Sequence, residues 1–185
     1  MPLKETKLGN WNTAAPIVAV VGALNLGNQV LPYYLRQQHP KIVTIEIGPF
    51  ARQLAEEAEK DTPKKYDLSA RKLAEHGADH VISQLIQAIS QSDAWQDAPL
   101  IITGIQTPAE AATLKDYFGP RLMLAYVEIP QSPTVEQPPD AIQSPEDVRL
   151  NIAEWADVIL WNDGALEHFY RQIDAKIVPH IAQSG

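Results

Sequence analysis

Residues 17–29 read Ile17-Val-Ala-Val-Val-Gly22-Ala-Leu-Asn-Leu-Gly27-Asn28-Gln29 and contain the strongest fold signal in the chain. The apolar run at the start of this stretch is typical of a strand buried on both faces. Gly22, four further residues and Gly27 then follow the frame of the phosphate-binding loop, G-x-x-x-x-G-K-[ST]. Asn28 stands in place of the motif's Lys, and Gln29 in place of the Ser/Thr that holds Mg²⁺. The sequence therefore predicts a phosphate-loop turn whose cation and metal ligand are replaced.

The composition is that of a globular protein in one domain. The chain has 185 residues, of which 45% are hydrophobic and 21% charged, enough to bury a core. A net charge of −8 without a basic cluster argues against a nucleic-acid partner. No cysteine is present, and no apolar run reaches the length of a membrane span. We predict a cytoplasmic protein that does not bind membranes.

Strands and helices are predicted to alternate along residues 16–185, which we interpret as one domain preceded by a flexible arm, residues 1–15. A proline at position 32 predicts a bent or late start for the first helix. Residues 130–145 contain five prolines and are predicted to be an irregular loop. The predicted strands are Ile17–Val21, Ile42–Ile47, Leu100–Ile102, Leu122–Ile129 and Val158–Trp161. The predicted helices are Gly27–Gln38, Phe50–Glu59, Leu68–Ile89, Pro108–Phe118 with Thr107 as N-cap, Pro145–Trp155 and Gly164–Ile173.

This alternation predicts an α/β fold in three layers, α/β/α, around a five-stranded parallel sheet. In such a sheet the ligand site lies beyond the carboxyl ends of the strands. The residues that directly follow each strand are therefore the candidate site.

The chain resembles the P-loop nucleotide kinases, in particular their dephospho-CoA-kinase-like and adenylate-kinase-like group. The likeness rests on five segments in order: Ile17–Gln29, Ile45–Arg52, Leu68–Gly77, Leu100–Gln106 and Ala156–Glu167. The resemblance implies three groups of site residues. They are a phosphate-binding loop (Gly22, Asn25, Gly27, Asn28, Gln29), an acceptor side (Glu46, Arg52, Thr103, Gln106) and a base side (Asn162, Asp163, Gly164).

The chain departs from this family where phosphoryl transfer needs charge. Besides the changes at Asn28 and Gln29, Thr103 stands where the family has Asp, and Gln106 where it has Arg. No Lys or Arg occurs between Arg121 and Arg149, the segment expected to form the lid. Phosphoryl transfer depends on positioning and on electrostatic stabilisation of the phosphoryl oxygens. We therefore interpret the chain as a non-catalytic relative that binds a nucleotide or another small anion, or acts through a protein partner. The loss of these groups argues against Mg²⁺ as a cofactor.

Two other interpretations stay open. An active ATP-dependent phosphotransferase could hold its metal through Glu46 or Glu128. Alternatively, Gly22-Ala-Leu24-Asn-Leu-Gly27 is a dinucleotide fingerprint that lacks its second Gly, and Glu46 would then be the ribose-binding acid.

The remaining polar and aromatic candidates give weaker signals. His76 and His80 share a helical face but have no third ligand nearby, so we predict surface histidines and no metal site. No G-x-S-x-G motif supports an esterase. We predict that Trp155 lies in the core, and we retain Trp161 as a candidate for the wall of a base pocket.

Overall fold

The computed structural model describes residues 15–22, 27–50, 78–105, 107–129 and 153–182. Their strands form one sheet in which every pairing is parallel. The strands are β1 (Ile17–Gly22), β2 (Val43–Glu46), β3 (Leu100–Ile105), β4 (Leu122–Glu128) and β5 (Val158–Trp161). Their order in space is β2-β3-β1-β4-β5. The predicted five-stranded parallel sheet is confirmed.

β1 lies at the centre of the sheet and is buried on both faces. Ile17, Ala19 and Val21 pack into one hydrophobic cluster, whereas Val18 and Val20 pack into another. This follows from the two-residue period of a strand, which sends alternate side chains to opposite faces. An uninterrupted apolar run is therefore what the central strand of a three-layer fold requires.

Helices cover both faces of the sheet. The described helices are α1 (Gly27–Gln38), α2 (Ala78–Gln91), α3 (Asp93–Gln96), α4 (Pro108–Phe118), α5 (Leu166–Lys176) and α6 (Val178–Ile181). α2 and α4 contribute buried residues to the cluster that contains Ile17. α1, α5 and α6 contribute to the cluster that contains Val18. The predicted α/β/α layering is confirmed, and none of these described helices has the length and apolarity needed to cross a bilayer.

Several predicted boundaries shift, each for a local reason. The predicted bounds of α1, Gly27–Gln38, are confirmed with Pro32 inside the helix, so a late start at the proline is wrong. Because Pro32 removes only one backbone donor, burial of Leu31 and Leu35 on either side can hold the helix. β3 continues past the predicted end through Gly104, whose φ of 88° accompanies a register shift against β1.

The second and last helices also differ from their predicted starts. Residues 47–50 are already helical, ahead of the predicted start at Phe50. α5 begins at Leu166 instead of Gly164, because Gly164 has a φ of 92° that does not belong to a right-handed helix. The N-cap at Thr107 is confirmed as a capping box with Glu110.

Trp155 is 45% exposed, so its predicted core position is wrong. Among the described residues at the end of the helix predicted to reach Trp155, residue 153 is helical and the chain turns at residues 154–155. The carbonyl oxygen of Trp155 accepts a hydrogen bond from Lys115 Nζ at 2.8 Å, which holds the backbone of this turn against α4. Residues 1–14, 51–77, 130–152 and 183–185 lie outside the described part, together with the predictions made for them.

Asp157 fixes the start of β5 against its neighbour. Its Oδ2 accepts the Leu124 N–H at 2.7 Å, and its own N–H donates to the Leu124 carbonyl at 2.8 Å. Oδ1 also pairs with Lys115 Nζ at 2.8 Å. One carboxylate therefore joins β5, β4 and α4.

A tyrosine pair connects the helices of the second layer. Tyr34 of α1 stacks on Tyr170 of α5 with ring centroids 4.0 Å apart. Its hydroxyl donates to the carboxylate of Asp174, at 2.8 Å from Oδ2. This hydrogen bond raises the pKa of Tyr34. The contact sets the position of α1, whose first turn faces the carboxyl ends of the strands.

Candidate functional site

The parallel sheet brings the predicted acceptor-side and base-side segments to one edge. Across this edge, Glu46 of β2 is in register with Thr103 of β3. Gly22 of β1 is in register with Val127, and Glu128 is in register with Trp161. The carboxyl ends of all the strands therefore meet here, as a ligand site in this kind of sheet requires.

The two glycines of the predicted phosphate loop lie at the junction of β1 and α1. Gly22 is the last residue of β1, and Gly27 is the first of α1. Asn28 and Gln29 follow in the first turn of the helix, where backbone N–H groups have no intrahelical partner. Such N–H groups bind anions through hydrogen bonds and the helix dipole. Asn25 lies outside the described residues.

On the acceptor side, Glu46 and Thr103 differ in accessibility. Glu46 is exposed at the end of β2. Thr103 is only 4% exposed, so its side chain has little contact with solvent. Arg52 and Gln106 lie outside the described part. Of the two described residues of this group, Glu46 is therefore the one whose side chain is accessible to a ligand.

The two carboxylates considered for a relocated metal lie far apart. β3 and β1 separate the strands of Glu46 and Glu128. Three interstrand spacings correspond to about 14 Å between their backbones. Metal–oxygen bonds are only about 2.0–2.6 Å long, so one ion is not expected to be held by both. Within the described ranges, no group of three His, Asp or Glu side chains could hold a metal. The prediction that His76 and His80 are surface histidines concerns side chains that the structure does not describe.

The predicted base-side loop is held by its own hydrogen bonds. Asn162 Oδ1 lies 3.4 Å from the Gly164 N–H, and Asp163 Oδ1 accepts the Ala165 N–H at 3.1 Å. Asp163 Oδ2 lies 2.8 Å from His168 Nδ1. The Ala165 N–H and the His168 imidazole hold the pKa of the Asp163 carboxyl below its usual range. Both carboxylate oxygens of Asp163 therefore form hydrogen bonds at the start of α5.

This lowered pKa predicts an acid-sensitive contribution to stability. A carboxyl group with a lowered folded-state pKa stabilises the fold above its unfolded pKa of about 4. The contribution is lost as the pH falls through the folded-state value. We expect Asp163→Asn to have a slightly lower melting temperature than wild type at neutral pH, and the difference to disappear in acid. Melting curves from pH 7 to below pH 4 measure this, with Asp116→Asn as a control at another exposed carboxylate. A difference that does not change with pH would contradict the prediction.

The described charges are distributed unevenly between the two ends of the sheet. Glu46 and Glu128 end strands at the carboxyl edge, and Glu110 and Glu167 lie in the first turns of α4 and α5. Within the described ranges, no Lys or Arg directly follows the end of a strand. Their basic residues precede strands or lie in the middle or last turn of helices: Arg36, Lys41, Lys115, Arg121, Arg171 and Lys176. The candidate site is therefore acidic in the part of the chain that the structure describes.

Trp161 lies beside this loop and is 49% exposed. Its backbone N–H donates to Gln172 Oε1 at 2.9 Å, and its carbonyl accepts from Gln172 Nε2 at 2.8 Å. Gln172 therefore fixes the backbone that carries the indole. The role of Trp161 in a base pocket stays a prediction.

Sequence reasoning did not identify His168 as the partner of Asp163, or Gln172 as the partner of Trp161. The spacing from Asp163 to His168 places a histidine in the first helical turn after the loop, which was the available signal. The Gln172 contact joins residues 11 positions apart through a helix, and no short motif marks it.

Comparison with solved structures shows the same fold in proteins of low sequence identity. Shikimate kinase from Aquifex aeolicus is 15% identical and superposes with a TM-score of 0.55, covering 91% of this chain and 99% of that one. A tunicamycin resistance protein from Deinococcus radiodurans is 16% identical, with a TM-score of 0.56 and coverage of 88% and 95%. No family model matches the sequence, and no curated protein matches it. The likeness confirms a P-loop-kinase-like fold.

Proposed function

We propose that this chain, which has a P-loop-kinase-like fold, is a non-catalytic relative of such kinases that binds a nucleotide or another small anionic ligand. The observation that carries the proposal is the absence of Lys and Arg after the described strand ends, at the edge where a kinase needs them. Phosphoryl transfer relies on cations and metal ions to stabilise charge on the phosphoryl oxygens. An edge with carboxylates at Glu46 and Glu128 does not supply that stabilisation.

Binding without transfer is supported by the geometry at the end of β1. The first turn of α1 follows Gly22 after a short connection, and its N–H groups and dipole attract an anion even without a lysine. This favours a ligand held through backbone groups. An anion held in this way is bound more weakly than one that also contacts a lysine.

The two alternatives are less well supported. The separation of Glu46 and Glu128 disfavours an active site with one metal ion shared between them. A dinucleotide-binding fold places β2 beside β1, in the order 3-2-1-4-5-6. Here β3 lies between those strands, so Glu46 does not end the strand next to the glycine loop.

Ligand binding and turnover test the proposal together. We expect a thermal-shift screen of ATP, CoA, NAD and nucleoside monophosphates, each with and without Mg²⁺, to show stabilisation by at least one anionic ligand, because a ligand of the native state raises its stability. We expect no Mg²⁺-dependent ATP hydrolysis and no transfer to shikimate, dephospho-CoA or nucleoside monophosphates. Robust transfer by the wild type, abolished by Glu46→Gln, would overturn the non-catalytic interpretation.

A rescue variant tests whether the loop keeps a phosphate-binding shape. We expect Asn28→Lys with Gln29→Ser to bind ATP at least about tenfold more tightly than wild type, since a charge-assisted contact contributes about 1.5 kcal/mol or more. The matched control is Gln37→Lys with Gln38→Ser, which introduces the same lysine and serine at the other end of α1. Calorimetric titration measures both affinities. Equal gains in the two variants would indicate a general charge effect, and no gain in either would indicate a purely structural turn.

A further inference from the structure

Among the described strands, β5 lies at one end of the sheet, and side chains of α5 occupy its outer edge. The inner edge pairs with β4, as the bond from the Asn162 N–H to the Glu128 carbonyl at 2.8 Å shows. On the outer side, the N–H and carbonyl of Trp161 both bond to Gln172. The carbonyl of Ile159 accepts from Lys176 Nζ at 2.7 Å. Gln172 and Lys176 are four residues apart and therefore share one face of the helix.

The Gln172 side chain pairs with β5 as another strand would. Its amide presents an acceptor and a donor to Trp161, the groups that a peptide unit would present. Their distances to Trp161, 2.9 and 2.8 Å, lie in the range of ordinary ladder hydrogen bonds. A further strand could not use the Trp161 backbone without displacing this amide.

Without this cover the edge would favour strand pairing. Ile159 and Trp161 are 39% and 49% exposed, and β-branched and aromatic residues are the types enriched in strands. An edge strand with unpaired backbone groups is a template for pairing with another chain. The identical edge of a second copy offers the same groups and side chains, and a two-fold axis would bring the two edges together.

We propose that Gln172 and Lys176 keep β5 closed to strand pairing with a second copy of this chain. α5 thus carries a contact that inhibits self-association. The packing of α5 against β5 would therefore determine whether the protein associates through this edge.

The test is a double variant, Gln172→Ala with Lys176→Met, compared with wild type by sedimentation velocity over a wide range of protein concentration. We expect its mass to increase with concentration towards twice the wild-type value. The matched control is Gln37→Ala with Arg36→Met, which removes the same kinds of side chain and the same charge from α1. We expect this control to keep the wild-type mass.

A third substitution locates the contact. Adding Ile159→Lys to the double variant is expected to restore the wild-type mass, because a lysine on an edge strand opposes pairing. A folded double variant that keeps the wild-type mass at every concentration would overturn the proposal. Association that persists with Ile159→Lys would overturn it as well, because the contact would then lie on another surface.

Hydrogen exchange provides a second measurement if the double variant does not fold. In Gln172→Ala alone, the Trp161 amide is expected to exchange about fivefold faster than in wild type, while the Asn162 amide, bonded to β4, keeps its rate. Equal protection of Trp161 in the two proteins would show that Gln172 does not close the edge.

Discussion

Replacement of Phe169 by alanine is expected to lower the free energy of unfolding by about 3–5 kcal/mol. Phe169 is 0% exposed and belongs to the cluster that α1, α5 and α6 form over the sheet. Truncation removes the ring from this cluster and leaves a cavity. α5 can close this cavity only in part, because it is bonded to α1 through Tyr34 and to β5 through Gln172. Urea unfolding at constant temperature measures the change as a shift of the midpoint with an unchanged slope.

Leu166→Ala is the control for this variant. Leu166 lies on the same helix and is 51% exposed, so its truncation is expected to change stability by no more than about 0.5 kcal/mol. Similar losses of unfolding free energy in both variants would show that truncation anywhere on α5 destabilises the protein. The core position assigned to Phe169 would then be wrong.

The second large effect is expected at Asp157. Its replacement by alanine removes the acceptor of the Leu124 N–H, in a strand residue that is 0% exposed, and the partner of Lys115. A buried donor left without its partner, together with the loss of a charge-assisted bond, is expected to cost about 2–3 kcal/mol. Thermal and urea unfolding measure this loss.

Asn at position 157 separates the two parts of the effect. Asp157→Asn keeps an acceptor for the Leu124 N–H but loses the charge that pairs with Lys115, so we expect a smaller loss than for alanine. Asp116→Ala is the control, since Asp116 is an exposed acid next to Lys115 in sequence. If Asp116→Ala destabilises as much as Asp157→Ala, the general charge balance matters more than the specific bonds.

The fold class could be predicted from the sequence, whereas the neighbours of each strand could not. The apolar run at Ile17 predicts a strand buried on both faces, and the capping box at Thr107 is local enough to be recognised from four residues. The place of β3 between β1 and β2 depends on contacts between residues more than 50 positions apart along the chain. Periodicity within a segment carries no information about such pairings.

The candidate site could be predicted in outline for a similar reason. The glycine spacing places the end of β1 and the start of α1 correctly, because strand and helix boundaries are local. Burial of an aromatic residue is not local. The position of Trp155 beside a predicted strand favours a core residue, but the turn before β5 leaves its indole exposed. The bond between Asp163 and His168 depends on the angle at which α5 leaves the loop, which only the folded backbone determines.

The central place of β1 has a consequence for synthesis of the protein on the ribosome. Its two partners, β3 and β4, begin at Leu100 and Leu122, so both are made long after β1. At about 5–20 residues per second, roughly 4–17 s pass between translation of Gly22 and that of Ile105, where the first of these partners ends. During that interval this apolar strand has neither neighbour, and its hydrophobic side chains are exposed before the sheet can form. The residues that make β1 the best centre for the finished sheet are thus the ones that most need protection while the chain is being made.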